Sequence, residues 1–313
     1  MPPGLTGSGM PPSTRENCLL IGFPEYREQA MRLARAAAVP YEDALIHHFP
    51  DGESRLRLPE SLPGHVILCR TLDHANSKLV EILLAAATAR ELGAKHITLI
   101  APYLCYMRQD KAFHPGEAVS QRIVGTLLAR YFDALITVDS HLHRVHRLQE
   151  AVPVDTAINL TATTPMSEFL EQNIDNPLLL GPDEESRQWV EAIAQTRGFD
   201  YRVASKLRSG DRDVRITLPK SDFRNRNVVL VDDVASTGCT LEQTALALEG
   251  FEPKSISVLV THAFFVNEAQ DRLRQAGVAD IWSTDSVPHS TNVLQLDQLL
   301  AQSFIEYLES PVL

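Results

Sequence analysis

The sequence predicts an α/β protein of two tandem, related halves, each a mostly parallel sheet with helices on both faces. Three observations carry this reading. Continuous apolar runs rich in Val, Ile and Leu occur at VILCRT (66–71), HITLIAPY (96–103), ALITVDSH (134–141), PLLLGPD (177–183), NVVLVDD (227–233) and SISVLVTH (255–262). Unbroken apolar strands are what a parallel sheet covered on both faces needs, whereas a half-exposed strand would alternate. Segments of helical spacing separate the runs, as βαβ connections require. The halves also resemble each other: LLAAATARELGAKHITLIAPY from Leu83 aligns with EQTALALEGFEPKSISVLVTH from Glu242, and VILCRT aligns with VVLVDD from Val228. In that alignment Arg70 and Thr71 stand where Asp232 and Asp233 stand, so the first half reads as a copy that has lost an acidic pair.

In chain order, residues 1–17 (MPPGLTGSGMPPSTREN) are rich in Pro, Gly and Ser and lack an apolar signal-peptide core, and are expected to form a disordered tail. The first domain is read as 18–155. Its helices are KLVEILLAAATARELGA (78–94) and AVSQRIVGTLLARYF (118–132), each carrying apolar residues three and four apart. The second domain is read as 156–313, the break falling where PVDTAINLTATTP leads into a new helix, and its helices are SRQWVEAIAQTRG (186–198) and LEQTALALEG (241–250). The final LQLDQLLAQSFIEYLE (294–309) has helical periodicity and is expected to pack back on the first domain.

The 313 residues suffice for two cores, and 44% hydrophobic with 22% charged residues is ordinary for a soluble enzyme. A net charge of −11 argues against a nucleic-acid-binding protein, whose footprint is basic. No apolar run approaches the roughly 18 residues of a membrane span, so no membrane partner is expected. Cys18, Cys69, Cys105 and Cys239 are scattered without metal-type spacing, which suits a reducing compartment; a cytoplasmic location is expected.

The chemistry concentrates in VVLVDDVASTGCTL (228–241). A strand ending in two carboxylates runs into a Ser/Thr/Gly loop that opens a helix. Backbone N–H groups from Ala235 to Thr240 can point at a phosphate, with Gly238 supplying the backbone freedom and Ser236, Thr237 and Thr240 adding hydroxyls around Cys239. Neither Asp232 nor Asp233 suits a phosphate, but both suit the vicinal hydroxyls of a ribose. The ligand is therefore a sugar phosphate.

That stretch resembles the signature by which type I phosphoribosyltransferases and phosphoribosyl pyrophosphate (PRPP) synthetases hold ribose 5-phosphate. Further stretches are similar to the second group, the ribose-phosphate diphosphokinase family. FPDGE (49–53) looks like its ATP-site motif, APYLCYMRQDK (101–111) like its PYxxYxRQD segment, and TVDSH (137–141) like its D-x-H. GPDEES (181–186) is similar to its S-P-D motif, SKLRSGD (205–211) to its mobile K-x-R loop, and VTHAFF and TDSVP continue the order. The resemblance covers nearly the whole chain from Cys18. It implies two phosphoribosyltransferase-type I domains with the cleft between them, and diphosphoryl transfer from ATP to the 1-hydroxyl of ribose 5-phosphate with Mg²⁺. It further implies Lys206 and Arg208 as catalytic charges, and Phe49, Asp51, Glu53, Arg108, Gln109 and His141 at ATP. His141 and Asp183 would hold metal, while Asp232, Asp233 and Ser236 through Thr240 would hold ribose 5-phosphate. Because the family borrows the FPDGE residues from a neighbouring subunit, the resemblance implies self-association, at least as a dimer.

Several segments depart from the main-line bacterial and mammalian pattern. FHPGEAVSQR (113–122) has the PGEAxS form of archaeal-type members, PDEES replaces a PDxGG loop, and DSHLHRVHRLQEAV follows the histidine's strand. His143 and His146 in that last segment have a zinc-like spacing, but no Cys or further His aligns with them, so they read as surface residues. Two other functions compete. A PRPP-consuming transferase would not need paired domains, FPDGE or the K-x-R loop. A non-catalytic regulatory subunit would be expected to have lost Lys206, Arg208, His141 and Asp183, all of which are present.

Overall fold

The computed structural model describes residues 17–142, 144–208 and 214–310. The first half contains β1 (Cys18–Gly22), α1 (Arg27–Ala37), β2 (Tyr41–Asp43), β3 (Leu45–His48), β4 (Ser54–Arg57), β5 (His65–Cys69) and α2 (Ala75–Glu91). It continues through β6 (His96–Ile100), α3 (Ser120–Leu128), β7 (Ala134–Val138), α4 (Leu148–Ala151) and β8 (Thr156–Leu160). The second half follows with α5 (Thr163–Asn173), β9 (Pro177–Gly181), α6 (Arg187–Arg197), β10 (Asp200–Val203), β11 (Ser205–Arg208), β12 (Val214–Thr217) and β13 (Asn227–Ala235). After it come α7 (Cys239–Leu248), β14 (Ser255–Ala263), α8 (Ala269–Gln275), β15 (Val278–Thr284), β16 (Asn292–Leu294) and α9 (Asp297–Glu309).

Each half builds a parallel six-stranded sheet, in the orders β2-β1-β5-β6-β7-β8 and β10-β9-β13-β14-β15-β16. These orders correspond strand for strand. An antiparallel hairpin leaves each sheet at the same point, β3–β4 in the first half and β11–β12 in the second. The internal resemblance thus extends to the hairpins, which the alignment did not reach. Strand pairing carries the first sheet to Leu160, since β8 pairs with β7 from Thr156 on, five residues beyond a break at 155/156.

All five residues of β5, of β7 and of β9 are buried, as their unbroken apolar runs require. Each such Val, Leu or Ile contributes about 1.5–3 kcal/mol by leaving water. One apolar cluster crosses between the halves, joining Leu20, Tyr26 and Ile67 to Leu179, Val229 and Phe304. Helix α9 belongs to that junction. It packs on α1, and its Tyr307 hydroxyl meets His96 Nε2 at 2.6 Å. Polar contacts reinforce it: the Tyr26 hydroxyl donates to the Asp285 carbonyl at 2.8 Å, and Arg32 pairs with the Asp285 carboxylate. The TDSVP segment therefore holds the halves together. Helix α3 is shorter than the 118–132 reading, and β13 runs two residues past the acidic pair.

Candidate active site

Strand β13 delivers Asp232 and Asp233 to its C-terminal end, where an open parallel sheet normally binds ligand. The loop beyond it turns at Gly238, whose φ of +71° is left-handed and suits a residue without Cβ. Gly238 is also the residue from which α7 starts. The loop's carbonyls are drawn into the protein. Val266 N–H donates to Ser236 O at 3.0 Å, and Arg272 donates from Nη2 to Thr237 O at 2.6 Å while its Nε holds Glu242 at 2.9 Å. With its carbonyls engaged in this way, the loop is of the kind whose backbone N–H groups can bind an anion.

The two aspartates behave differently because like charges in contact cannot both ionise. Asp233 N–H donates to Asp232 Oδ1 at 3.0 Å. Burial, then the charges of Asp233 and Asp183, push the Asp232 carboxyl well above the usual carboxylate range. Burial pushes Asp233 up as well. The His141 hydrogen bond, with the charges of His141 and His262, outweighs that and holds it below the usual range. His141 Nδ1 lies 2.6 Å from Asp233 Oδ2. A histidine carried by the first sheet thus helps to set the two aspartates of the second apart, one raised and one lowered.

Lys206 reaches the same place from β11. Its Nζ donates to Thr240 Oγ1 at 2.8 Å and lies 3.3 Å from Asp183 Oδ2, joining the phosphate loop to the strand end of β9. Asp183 Oδ1 accepts the N–H groups of Glu185 and Ser186 at 3.1 and 3.3 Å, so the PDEES turn aims the carboxylate. Arg108 lines a narrow cleft with Tyr103, His141, Val234 and His262. The structure therefore gathers Asp183, Lys206, Asp232, Asp233, Thr240 and His141, with Arg108 beside them.

The other candidates stand apart from this group. Gln109 turns to its own loop, donating to Lys111 O at 2.9 Å, and the neighbouring Asp110 pairs with Arg144 at 2.6 Å. The FPDGE turn bonds within itself: Phe49 N–H donates to Glu53 O at 2.8 Å and Glu53 N–H to Asp51 Oδ1 at 3.1 Å. Phe49 remains 39% exposed, its ring edge-on to His47. The side chains of Leu207 and Arg208 and residues 209–211 of the SKLRSGD stretch lie outside the described residues, as do His143 and the residues before Asn17.

Among the described residues no three His, Cys, Asp or Glu side chains gather as a cation site. His141 is bonded to Asp233, and Asp183 to Lys206. Carboxylate oxygens are suitable donors for Mg²⁺, but too few converge for a resident ion, and such a set fits one whose remaining oxygens come from substrate phosphates.

Sequence reasoning missed Asp139, the acidic member of TVDSH. It is buried, and burial raises its pKa. It accepts Ala162 N–H at 3.1 Å, Thr261 Oγ1 at 2.8 Å and Trp189 Nε1 at 3.3 Å, so one carboxyl joins β7 to α5, α6 and β14. Its place two residues before His141 was the available signal. Arg272 left no signal in the sequence.

Two sheets of this order, with a Ser/Thr/Gly loop and an acidic pair on one of them, define a two-domain α/β protein of the phosphoribosyltransferase type. Comparison with known proteins agrees. The N-terminal domain of ribose phosphate pyrophosphokinase matches residues 18–131, and a phosphoribosyl transferase domain matches 157–296. The ribose-phosphate pyrophosphokinase of Methanopyrus kandleri is 34% identical, over 77% of this chain and 82% of its own. That of Methanosarcina acetivorans is 30% identical over 91% and 98%. The chain belongs to the ribose-phosphate pyrophosphokinase family. A crystal structure of phosphoribosylpyrophosphate synthetase from Mycobacterium smegmatis shares the fold, with a TM-score of 0.79 and 23% identity over 94% of this chain and 99% of that one.

Proposed function

We propose that this protein transfers the β,γ-diphosphoryl group of ATP to the 1-hydroxyl of ribose 5-phosphate, giving PRPP and AMP. The observation that carries this is Lys206, whose ammonium already bridges Thr240 of the phosphate loop and Asp183 beside the acidic pair. The loop from Ser236 to Thr240 holds the 5-phosphate on backbone N–H groups and hydroxyls. Asp232 and Asp233 hold the 2- and 3-hydroxyls. Held there, the 1-hydroxyl oxygen forms a bond to the β-phosphorus, the bond from that phosphorus to the α-phosphate oxygen breaks, AMP departs, and the hydroxyl proton passes to solvent. Little covalent work falls to the protein; positioning and charge neutralisation do most of it. Lys206 and Arg208 supply the neutralising charge.

Arg108, Gln109 and His141 hold the nucleotide. Phe49, Asp51 and Glu53 reach it from a neighbouring subunit, so the active form is at least a dimer. A Mg²⁺ ion carried by the nucleotide would neutralise phosphate charge, with Asp183 and His141 at its edge. Among the described residues no helix is long and apolar enough to cross a membrane. Cys18, Cys69 and Cys105 are buried, as small apolar side chains in a reducing cytoplasm would be.

Product analysis by ³¹P NMR of the protein with ATP, Mg²⁺ and ribose 5-phosphate tests the reaction. AMP with a new diphosphate-ester signal is the expected result. Silence with ATP still bound would replace the reading by a regulatory subunit or another sugar acceptor. Consumption of added PRPP would make it a transferase.

A further inference from the structure

In the second half, a cluster at the strand end grips a hairpin: Lys206 of β11 is tied to Asp183 and Thr240. The equivalent cluster in the first half has changed its chemistry but not that task. Arg70, standing where Asp232 stands, is 3% exposed and lies over the Phe23 ring at 4.4 Å. Its Nε donates to Glu25 and its Nη2 to Glu81, both at 2.6 Å. Glu81 is 1% exposed. Its other oxygen, Oε1, accepts the Ser54 hydroxyl at 2.6 Å and faces His48 Nε2 at 2.8 Å. His48 and Ser54 are cross-strand partners, the last pair of the β3–β4 ladder before the Phe49–Glu53 turn. One buried carboxylate therefore holds both strands at the root of the turn that carries Phe49, Asp51 and Glu53.

We infer that Glu81 is a positioning residue for the nucleotide: it sets the angle at which the β3–β4 hairpin offers its tip. The inference rests on the proposed reading that this tip meets ATP. Hairpin tips on two strands pivot easily at their root, and a contact displaced by about 1 Å loses most of its value. Burial would raise the Glu81 carboxyl, but the hydrogen bonds from Ser54 and Arg70 with the Arg70 charge hold it below the usual range, and an ionised carboxylate accepts both the hydroxyl and the imidazole bonds at once.

The test uses Ser54→Ala, which releases the hairpin while leaving the Arg70–Glu81 pair intact. Losing one charge-assisted bond at the root should raise KM for ATP about five- to tenfold, with KM for ribose 5-phosphate and the melting temperature unchanged. Ser54→Thr should restore it. In a Phe49→Ala background, where the tip has lost its ring, Ser54→Ala should add almost nothing. If Phe49→Ala alone leaves KM for ATP unchanged, the tip does not meet the nucleotide, and the underlying reading fails. If Phe49→Ala raises it but Ser54→Ala does not, or if Ser54→Ala raises both KM values alike, the positioning role is overturned by itself.

Discussion

Replacing Lys206 with alanine removes an ammonium 2.8 Å from Thr240 Oγ1 and 3.3 Å from Asp183 Oδ2. The Lys206 side chain is 16% exposed and that of Asp183 13%, so the charge acts where water screens it weakly. A preorganised donor aimed at charge that develops in the transition state is worth about 2.7–4 kcal/mol. At 1.4 kcal/mol per decade this is a fall of about 10²–10³ in kcat. The ground-state cost is smaller. Asp183 keeps the N–H groups of Glu185 and Ser186, and Thr240 keeps its place in the first turn of α7, so ribose 5-phosphate affinity should fall no more than about fivefold, the value of one modest hydrogen bond. AMP release at saturating substrates gives kcat, and calorimetric titration with ribose 5-phosphate gives affinity. If affinity falls as far as kcat/KM, Lys206 supplies uniform binding and the assignment is wrong. A loss of less than tenfold in kcat would show that the ammonium does not act on the transition state.

Stability should depend on pH through two buried histidines. Burial is the main cause that pushes His65 down to about 3 and His262 down to about 4. Both rings stay neutral in the fold where the unfolded chain, titrating near 6.5, takes up protons. The native state therefore has its full stability above about pH 6.5 and loses about 1.4 kcal/mol per pH unit for each histidine as the pH falls toward 4. Urea midpoints should fall between pH 7 and 5, and His65→Gln should make that fall shallower. Gly125→Ala would place a Cβ 1.8 Å from the Ala151 carbonyl oxygen, backbone against backbone between α3 and α4. A loss of about 3 kcal/mol or more is expected in urea unfolding, and an unchanged midpoint would mean that α4 yields freely. Arg272→Met frees the Thr237 carbonyl from its donor. KM for ribose 5-phosphate should rise about five- to tenfold while KM for ATP stays within error.

Much of the site was legible because its residues are neighbours in the chain. The acidic pair, the glycine and the hydroxyls of the phosphate loop fall within nine residues, Asp232 to Thr240, so strand, turn and helix start could be read together. Glu81 was not legible, and Asp139 only through its place two residues before His141. A carboxylate in a strand end or in an apolar helix reads locally as a polar interruption, and its meaning comes from partners such as Thr261 and Arg70, brought in by the fold. The helix around Glu81, apolar on nearly every side, hid it further.

The apolar runs, their helical spacers and the internal repeat are local patterns of burial, and from them the primary structure alone specified two sheets of the same kind and the strand end that carries the acidic pair and the Ser/Thr/Gly loop. Long-range contacts decided the rest. Residue patterns do not say that β8 completes the first sheet, or that the hairpins β3–β4 and β11–β12 are equivalents. They also cannot say how two adjacent aspartates come to differ. Asp233 is held below the usual range by His141, 92 residues away in the chain and 2.6 Å away in space. Desolvation and the field of a distant side chain act through three-dimensional proximity, which chain order does not contain.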